Sequence, residues 1–229
     1  MNFRTNLHAV AAAALLATSL GSAHATSISF SSATLPTQLT DWSSFADLQQ
    51  FNPGQGLLQQ VTLELFADLQ GSAKAESRNN NAATITLTLQ ATLALARPDD
   101  ASTVLVQTTP LVSSVFHAAA RDNLTDYAGP SGVTLSDLSA SASSQASFSD
   151  ASTLALFTGT GSLLLPFNAV GLSSAIGPGN LRTGFSTLAG GYATVTYEFL
   201  PSPVPEPASW ALLLSGVVLV GWMVSRRRA

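Results

Sequence analysis

Three histidines, thirteen acidic side chains and no cysteine are the chain's main stock of groups for catalysis or metal binding. The lack of cysteine excludes thiol catalysis, zinc–thiolate sites and iron–sulfur clusters built from this chain. His8 and His24 fall in an N-terminal stretch that reads as a removable leader, which leaves His117. A lone imidazole has no second histidine with which to share a metal, and His117 reads as a strand-end residue beside Phe116. Glu64 and Asp68 share one face of an alternating strand. Four residues at about 3.3 Å each set them roughly 13 Å apart, beyond the ~5 to 9.5 Å that paired glycosidase carboxylates require. They therefore read as a solvated face. Asp99-Asp100 and Asp122-Asn123-Leu124-Thr125-Asp126 offer oxygen atoms to calcium but lack the ordered spacing of a calcium loop. They read as turn formers that bond their own backbone. Neither G-x-S-x-G nor H-E-x-x-H occurs. Trp42, Tyr127 and Tyr192 could stack on sugars, although Trp42 reads better as partial core. Asn123-Leu124-Thr125 matches the glycosylation sequon. These residues lead to the expectation of no enzyme, no catalytic residue, no metal and no cofactor.

Glu206 is different. It is the only charge in a stretch where Pro201, Pro203, Pro205 and Pro207 alternate. Prolines at that spacing hold the backbone stiff and extended and bar it from joining a helix below. Val204, Pro205, Glu206 and Pro207 thus present an exposed, strand-like segment with one carboxylate as a recognition handle. The next segment, 208–225, carries no charge and gives about 27 Å of helix at roughly 1.5 Å per residue. It is expected to span a bilayer, with Arg226, Arg227 and Arg228 held on the cytoplasmic side.

This combination of Val-Pro-Glu-Pro, a short apolar helix and a terminal arginine cluster resembles the PEP-CTERM sorting signal of Gram-negative bacteria. The resemblance covers about 25 residues of 229. It implies an exosortase, an integral-membrane cysteine protease, that cuts near Pro-Glu-Pro and releases or transfers the exported part. It also implies a host that makes extracellular polysaccharide or biofilm. A second stretch, Phe51-Asn52-Pro53-Gly54-Gln55-Gly56-Leu57-Leu58 followed by Val61-Thr62-Leu63-Glu64-Leu65, resembles the start of bacterial choice-of-anchor domains, type E in particular. Those are surface domains of largely unassigned function.

The N-terminus agrees with export. Residues 1–25 read as a signal peptide: Arg4 supplies the positive region, Ala9 to Leu20 the apolar one, and Ala23-His24-Ala25 the small-x-small site for signal peptidase. Maturation at Thr26 leaves residues 26–200, enough for one domain with a sizeable core. Five basic residues against twelve acidic ones give that part a net charge of −7 with His neutral. Such a surface argues against nucleic acid as a partner.

Periodicity in this part is mostly two. Val61–Leu69, Thr84–Leu95 and Tyr192–Phe199 alternate apolar with polar, which is the pattern of half-buried antiparallel strands. Shorter strands are expected at 27–31, 104–108, 112–118, 154–157 and 161–167. Loops are expected at 71–81, 122–132 and 177–180, and a short helix at 42–50. Residues 136–152, serine-rich, read either as an exposed strand or as a loop. The sum is all-β: an antiparallel β-sandwich of about 7–9 strands, followed by a Pro-rich stalk at 201–207, a transmembrane helix at 208–225 and a basic tail at 226–229. The function expected is that of an exported cell-surface or extracellular-matrix protein that meets signal peptidase, an exosortase, the inner membrane and exopolysaccharide. A polysaccharide-binding module is the alternative, and a secreted hydrolase the third reading.

Overall fold

Alternation of apolar with mostly polar residues along 61–69 and 84–95 governs the fold. The computed structural model describes residues 25–177, 179–202 and 207–226. The described residues form eleven strands: β1 (Thr26–Ser31), β2 (Leu35–Leu39), β3 (Trp42–Gln49), β4 (Gly56–Ser77), β5 (Ala83–Ala96), β6 (Val104–Thr108), β7 (Leu111–Ala118), β8 (Gly132–Phe148), β9 (Ser162–Gly171), β10 (Ser174–Ile176) and β11 (Leu181–Pro201). Two α-helices, α1 (Ala151–Phe157) and α2 (Pro207–Arg226), and a 3₁₀ turn at Pro53–Gln55 complete the elements. Strands β1 to β11 fall in one unit, Ala25–Ser202, and α2 belongs to a second.

The strands make two antiparallel sheets. One is five-stranded in the order β1-β11-β4-β8, with β2 also on β11. The other is six-stranded in the order β10-β5-β9-β3, with β6 and β7 on β5. Between the sheets, Val61, Leu63, Leu65 and Leu69 of β4 meet Leu89, Leu93 and Leu95 of β5 and Leu165 and Phe167 of β9, all fully buried or nearly so. Burying each large apolar side chain contributes about 1.5–3 kcal/mol, so the core supplies the main driving force. A smaller cluster of Ala73, Ala75, Ile85, Leu87 and Ala118 fills the other end.

An aromatic knot closes the main core. Tyr197 lies within 6.4 Å, centroid to centroid, of Phe30, Phe51 and Phe157, and its hydroxyl donates to the Gln49 carbonyl at 2.7 Å. Burial holds this phenol well above its usual range. Above pH ~10 the unfolded chain gives up the phenol proton while the folded chain keeps it. The unfolded state then binds fewer protons, and stability falls as pH rises. Thermal melts between pH ~9 and ~12 should therefore show a steeper alkaline loss in wild type than in Tyr197→Phe. At neutral pH the same substitution should cost about 1 kcal/mol for the lost hydrogen bond. Parallel pH profiles of the two proteins would refute the assignment.

Four local expectations are overturned. Residues 42–49, within the stretch expected as a helix, are strand: from Ala46 to Gln49 burial alternates with period two, and Phe45 points outward. The loop placed at 71–81 is strand as far as Ser77, because β11 and β8 continue to pair with β4 on both sides. This run tolerates Gly71 because a Cβ there would strike the Ser186 carbonyl. Residues 154–157 belong to α1 rather than to a strand. Asp150 caps that helix, accepting from Ser152 Oγ at 2.7 Å and the Thr153 N–H at 2.9 Å, which draws its pKa down to about 2. That cap is complete above the ordinary carboxylate range and is lost as pH falls toward 2. Finally, Pro201, assigned to the stalk, ends β11 opposite Gly56.

Candidate functional site

The C-terminal segment carries the sequence's clearest functional residues. Val204, Pro205 and Glu206 lie outside the described residues, as do Arg227, Arg228 and, at the other end, Ala23. Pro207 is the first residue of α2, where its fixed φ and missing N–H cost nothing. At the far end Arg226 lies over the Trp222 ring, 4.1 Å from its centroid. A cation in the last turn also complements the helix dipole. Val217, Val218, Leu219, Val220, Met223 and Val224 are exposed. The span expected at 208–225 lies within this twenty-residue helix. Among the described residues no helix is long and apolar enough to cross a membrane. Ala25, the last residue of the expected signal-peptidase site, is exposed ahead of β1.

In the sandwich the acidic residues serve turns. Asp99 pairs with Arg97 at 3.0 Å, and Arg97 also donates to Thr153 Oγ1 at 3.2 Å, tying this turn to α1. The hydrogen bond to Arg97 holds the Asp99 carboxyl below its ordinary range. Asp100 accepts from Ser102 Oγ at 2.6 Å and Thr103 Oγ1 at 2.7 Å, which lowers its pKa too. Asp122 and Asp126 accept from the N–H groups of Leu124 and Ala128, two residues on. Glu64 and Asp68 share the outer face of β4, where Asp68 accepts from Ser141 Oγ at 2.6 Å. His117 is exposed near the end of β7, its Nδ1 3.2 Å from Thr84 Oγ1. The structure brings none of these groups into one cluster with another histidine or carboxylate pair: among the described residues, no three His, Asp or Glu side chains gather as a metal site.

The aromatic candidates separate. Trp42 packs edge-on against Phe167 at 5.3 Å and its indole N–H donates to the Ala189 carbonyl at 3.1 Å, so its ring serves the core. Tyr192 stands on the outer face of the five-stranded sheet, stacked on Phe66 at 4.7 Å and 11°. Beside this pair, Asp68, Ser141 and Ser143 line a shallow hollow of about 430 Å³. Tyr127 lies under Lys74, whose Nζ is 4.6 Å from the ring centroid.

One residue escaped the sequence reading. Glu76 stands on the outward face of β4 yet is fully buried, because residues 119–131 fold over it. Its carboxylate accepts from Ser131 Oγ at 2.7 Å and from the Tyr127 N–H at 2.9 Å. Nothing in the local alternation signals that a distant loop covers this position.

Residues 203–228 match the family model of the PEP-CTERM protein-sorting motif. That match spans Val204, Pro205, Glu206, Pro207 and the three arginines. It leaves the likeness to choice-of-anchor domains without support of its own. No curated protein sequence matches the chain. Among solved structures, a mutant VP2 protein of infectious bursal disease virus in T=1 particles is 15% identical over 80% of this chain and 42% of that one, with a TM-score of 0.12. The structure of the Gt strain of that virus is 12% identical over 84% and 47% of the two chains, with a TM-score of 0.11. The chain thus spans less than half the length of these viral chains, and at such scores the likeness bears on neither fold nor role.

Proposed function

We propose that this exported PEP-CTERM protein is a non-enzymatic component of the cell surface or extracellular matrix, associated with exopolysaccharide or biofilm. The observation that carries the proposal is the sorting motif at 203–228. It implies export, transient membrane anchoring through the C-terminal segment and processing by an exosortase. The exported domain supports a binding or structural role, since Asp99, Asp100, Asp122, Asp126 and Asp150 are spent on turns, an ion pair and a helix cap. The deciding experiment compares the mass of the protein recovered from the surface or medium of wild-type and exosortase-deficient cells. Loss of the 208–229 segment in wild type only is the expected result. An intact segment in both overturns the sorting assignment, and a processed protein that never co-fractionates with the polymer overturns the matrix assignment.

A polysaccharide-binding module is the second reading, and the Phe66–Tyr192 stack beside Asp68 favours it. These half-buried rings on the sheet's outer face offer apolar surface to sugar C–H groups, and Asp68, Ser141 and Ser143 offer hydrogen bonds to hydroxyls. Tyr192→Ala should then weaken binding to the organism's own polymer by about tenfold or more without unfolding the domain. Trp42→Ala should instead lower the melting temperature, because its ring is structural. Unchanged polymer retention by Tyr192→Ala would remove this reading.

A further inference from the structure

The longest edge among the described strands is β8. It pairs with β4 on one side and with no strand on the other. Its seventeen residues compare with six in β1, five in β2 and three in β10. An edge of that length presents a row of backbone donors and acceptors that a further strand can join. Proteins blunt such edges with bulges, charges and proline, and β8 carries these devices at one end only. The register shifts against β4 between Gly71 and Ala73, and Asp137 sits there with φ 57. From Leu138 to Phe148 the strand is regular, with no proline and no charged residue.

The sequence of this regular part, Leu-Ser-Ala-Ser-Ala-Ser-Ser-Gln-Ala-Ser-Phe, reads almost the same in both directions about Ser143. We propose that β8 is a self-association edge, pairing antiparallel with β8 of a second copy about a two-fold axis through Ser143. In that register Leu138 faces Phe148, Ser139 faces Ser147, Ala140 faces Ala146, Ser141 faces Gln145 and Ala142 faces Ser144. Directly opposed residues of an antiparallel pair share a face. The half-buried set Leu138, Ala140, Ala146 and Phe148, already packed on the core, therefore meets its like. The exposed set of serines and Gln145 meets its like on the outer face. A one-residue slip would set apolar positions against polar ones, so the pattern selects this register. Such an interface is isologous, and it joins two five-stranded sheets into one. The even small side chains of the strand leave no protrusion to hold the backbones apart.

The test uses the mature protein recovered from the cell surface. Sedimentation should show a dimer for wild type. Ser143→Lys and Ser143→Glu each place like charges across the axis and should each weaken the dimer about tenfold or more, while an equimolar mixture of the two should restore it. Because the chain holds no cysteine, single cysteines report the register. Ser143→Cys should oxidise to a disulfide-linked dimer, since opposed Cβ atoms lie about 4.5–5.5 Å apart. Ser139→Cys should do so at least about tenfold less, because two copies of that residue would stand roughly 26 Å apart. A monomeric wild type, a dimer indifferent to Ser143→Lys, or equal crosslinking of the two cysteine variants overturns the proposal.

Discussion

Glu206→Ala is expected to leave full-length protein in the inner membrane, with the processed form reduced by about ten- to hundredfold. The size follows from the chemistry of the stalk. Glu206 is the one charge between Pro201 and Ser225, so a protease that reads this stretch has a single ionic contact to make. A hydrogen bond to a charged group is worth about 1.5–3 kcal/mol, and each ~1.4 kcal/mol is a tenfold change in rate. Substituting Leu212 by another apolar residue preserves length and apolarity and should matter little. Removing Arg226, Arg227 and Arg228 attacks a different property. On the proposed topology their charge keeps that end of the segment in the cytoplasm, so their loss should scatter topology and impair cleavage together. Immunoblots of membrane and surface fractions, with intact masses, read all three variants. Efficient processing of Glu206→Ala would show that the prolines, or the helix alone, carry recognition.

The parts of this protein that a linear reader must recognise are legible in a linear reading. The stalk, the uncharged segment and the arginines are adjacent in sequence, and their physics is local. Strand β6 likewise follows from its own short β-branched and apolar run after a turn, at the expected 104–108. The misreadings share another origin. Residues 71–77 look like a loop because glycine, serine and lysine interrupt the leucines, yet pairing to β11 on one side and β8 on the other overrides weak strand preference. Phe45 and Leu48 suggested one helix face, but β9 offers 42–49 a full antiparallel partner. The same tertiary dependence hides any site on the sandwich. Phe66 and Tyr192 are 126 positions apart in the chain, and only the β4–β11 register stacks them. Length and alternation give the sandwich but not which strand ends at an edge, so the symmetry of 138–148 has meaning only once β8 is known to lie there.

Truncating Glu76 should be the most damaging change to the exported domain outside its apolar core. The carboxylate binds Ser131 and the Tyr127 N–H in a space closed off from water. Those two contacts hold a loop whose backbone is strained at Tyr127, φ 56, and at Asn123, φ 69. The Tyr127 carbonyl in turn accepts from Thr134 Oγ1 at 3.1 Å, and the Ser131 carbonyl accepts from the Ser77 N–H at 2.8 Å. Even the start of β8 is fitted to this group: a Cβ at Gly132 would collide with Glu76 Oε2 and come within 2.6 Å of the Ala128 backbone. Glu76→Ala therefore empties the space and leaves a buried donor without a partner, at a cost of about 3–5 kcal/mol. Glu76→Gln keeps the shape. Its carbonyl can accept from Tyr127 while its amide donates to Ser131 Oγ, which as a hydroxyl serves in either direction, so the loss should be nearer 1 kcal/mol. Chemical denaturation gives both values, and hydrogen exchange at 119–131 tells whether the loop opens alone or with the sandwich. Equal stability losses in Glu76→Ala and Glu76→Gln would mean that charge, not hydrogen-bond geometry, holds the loop down.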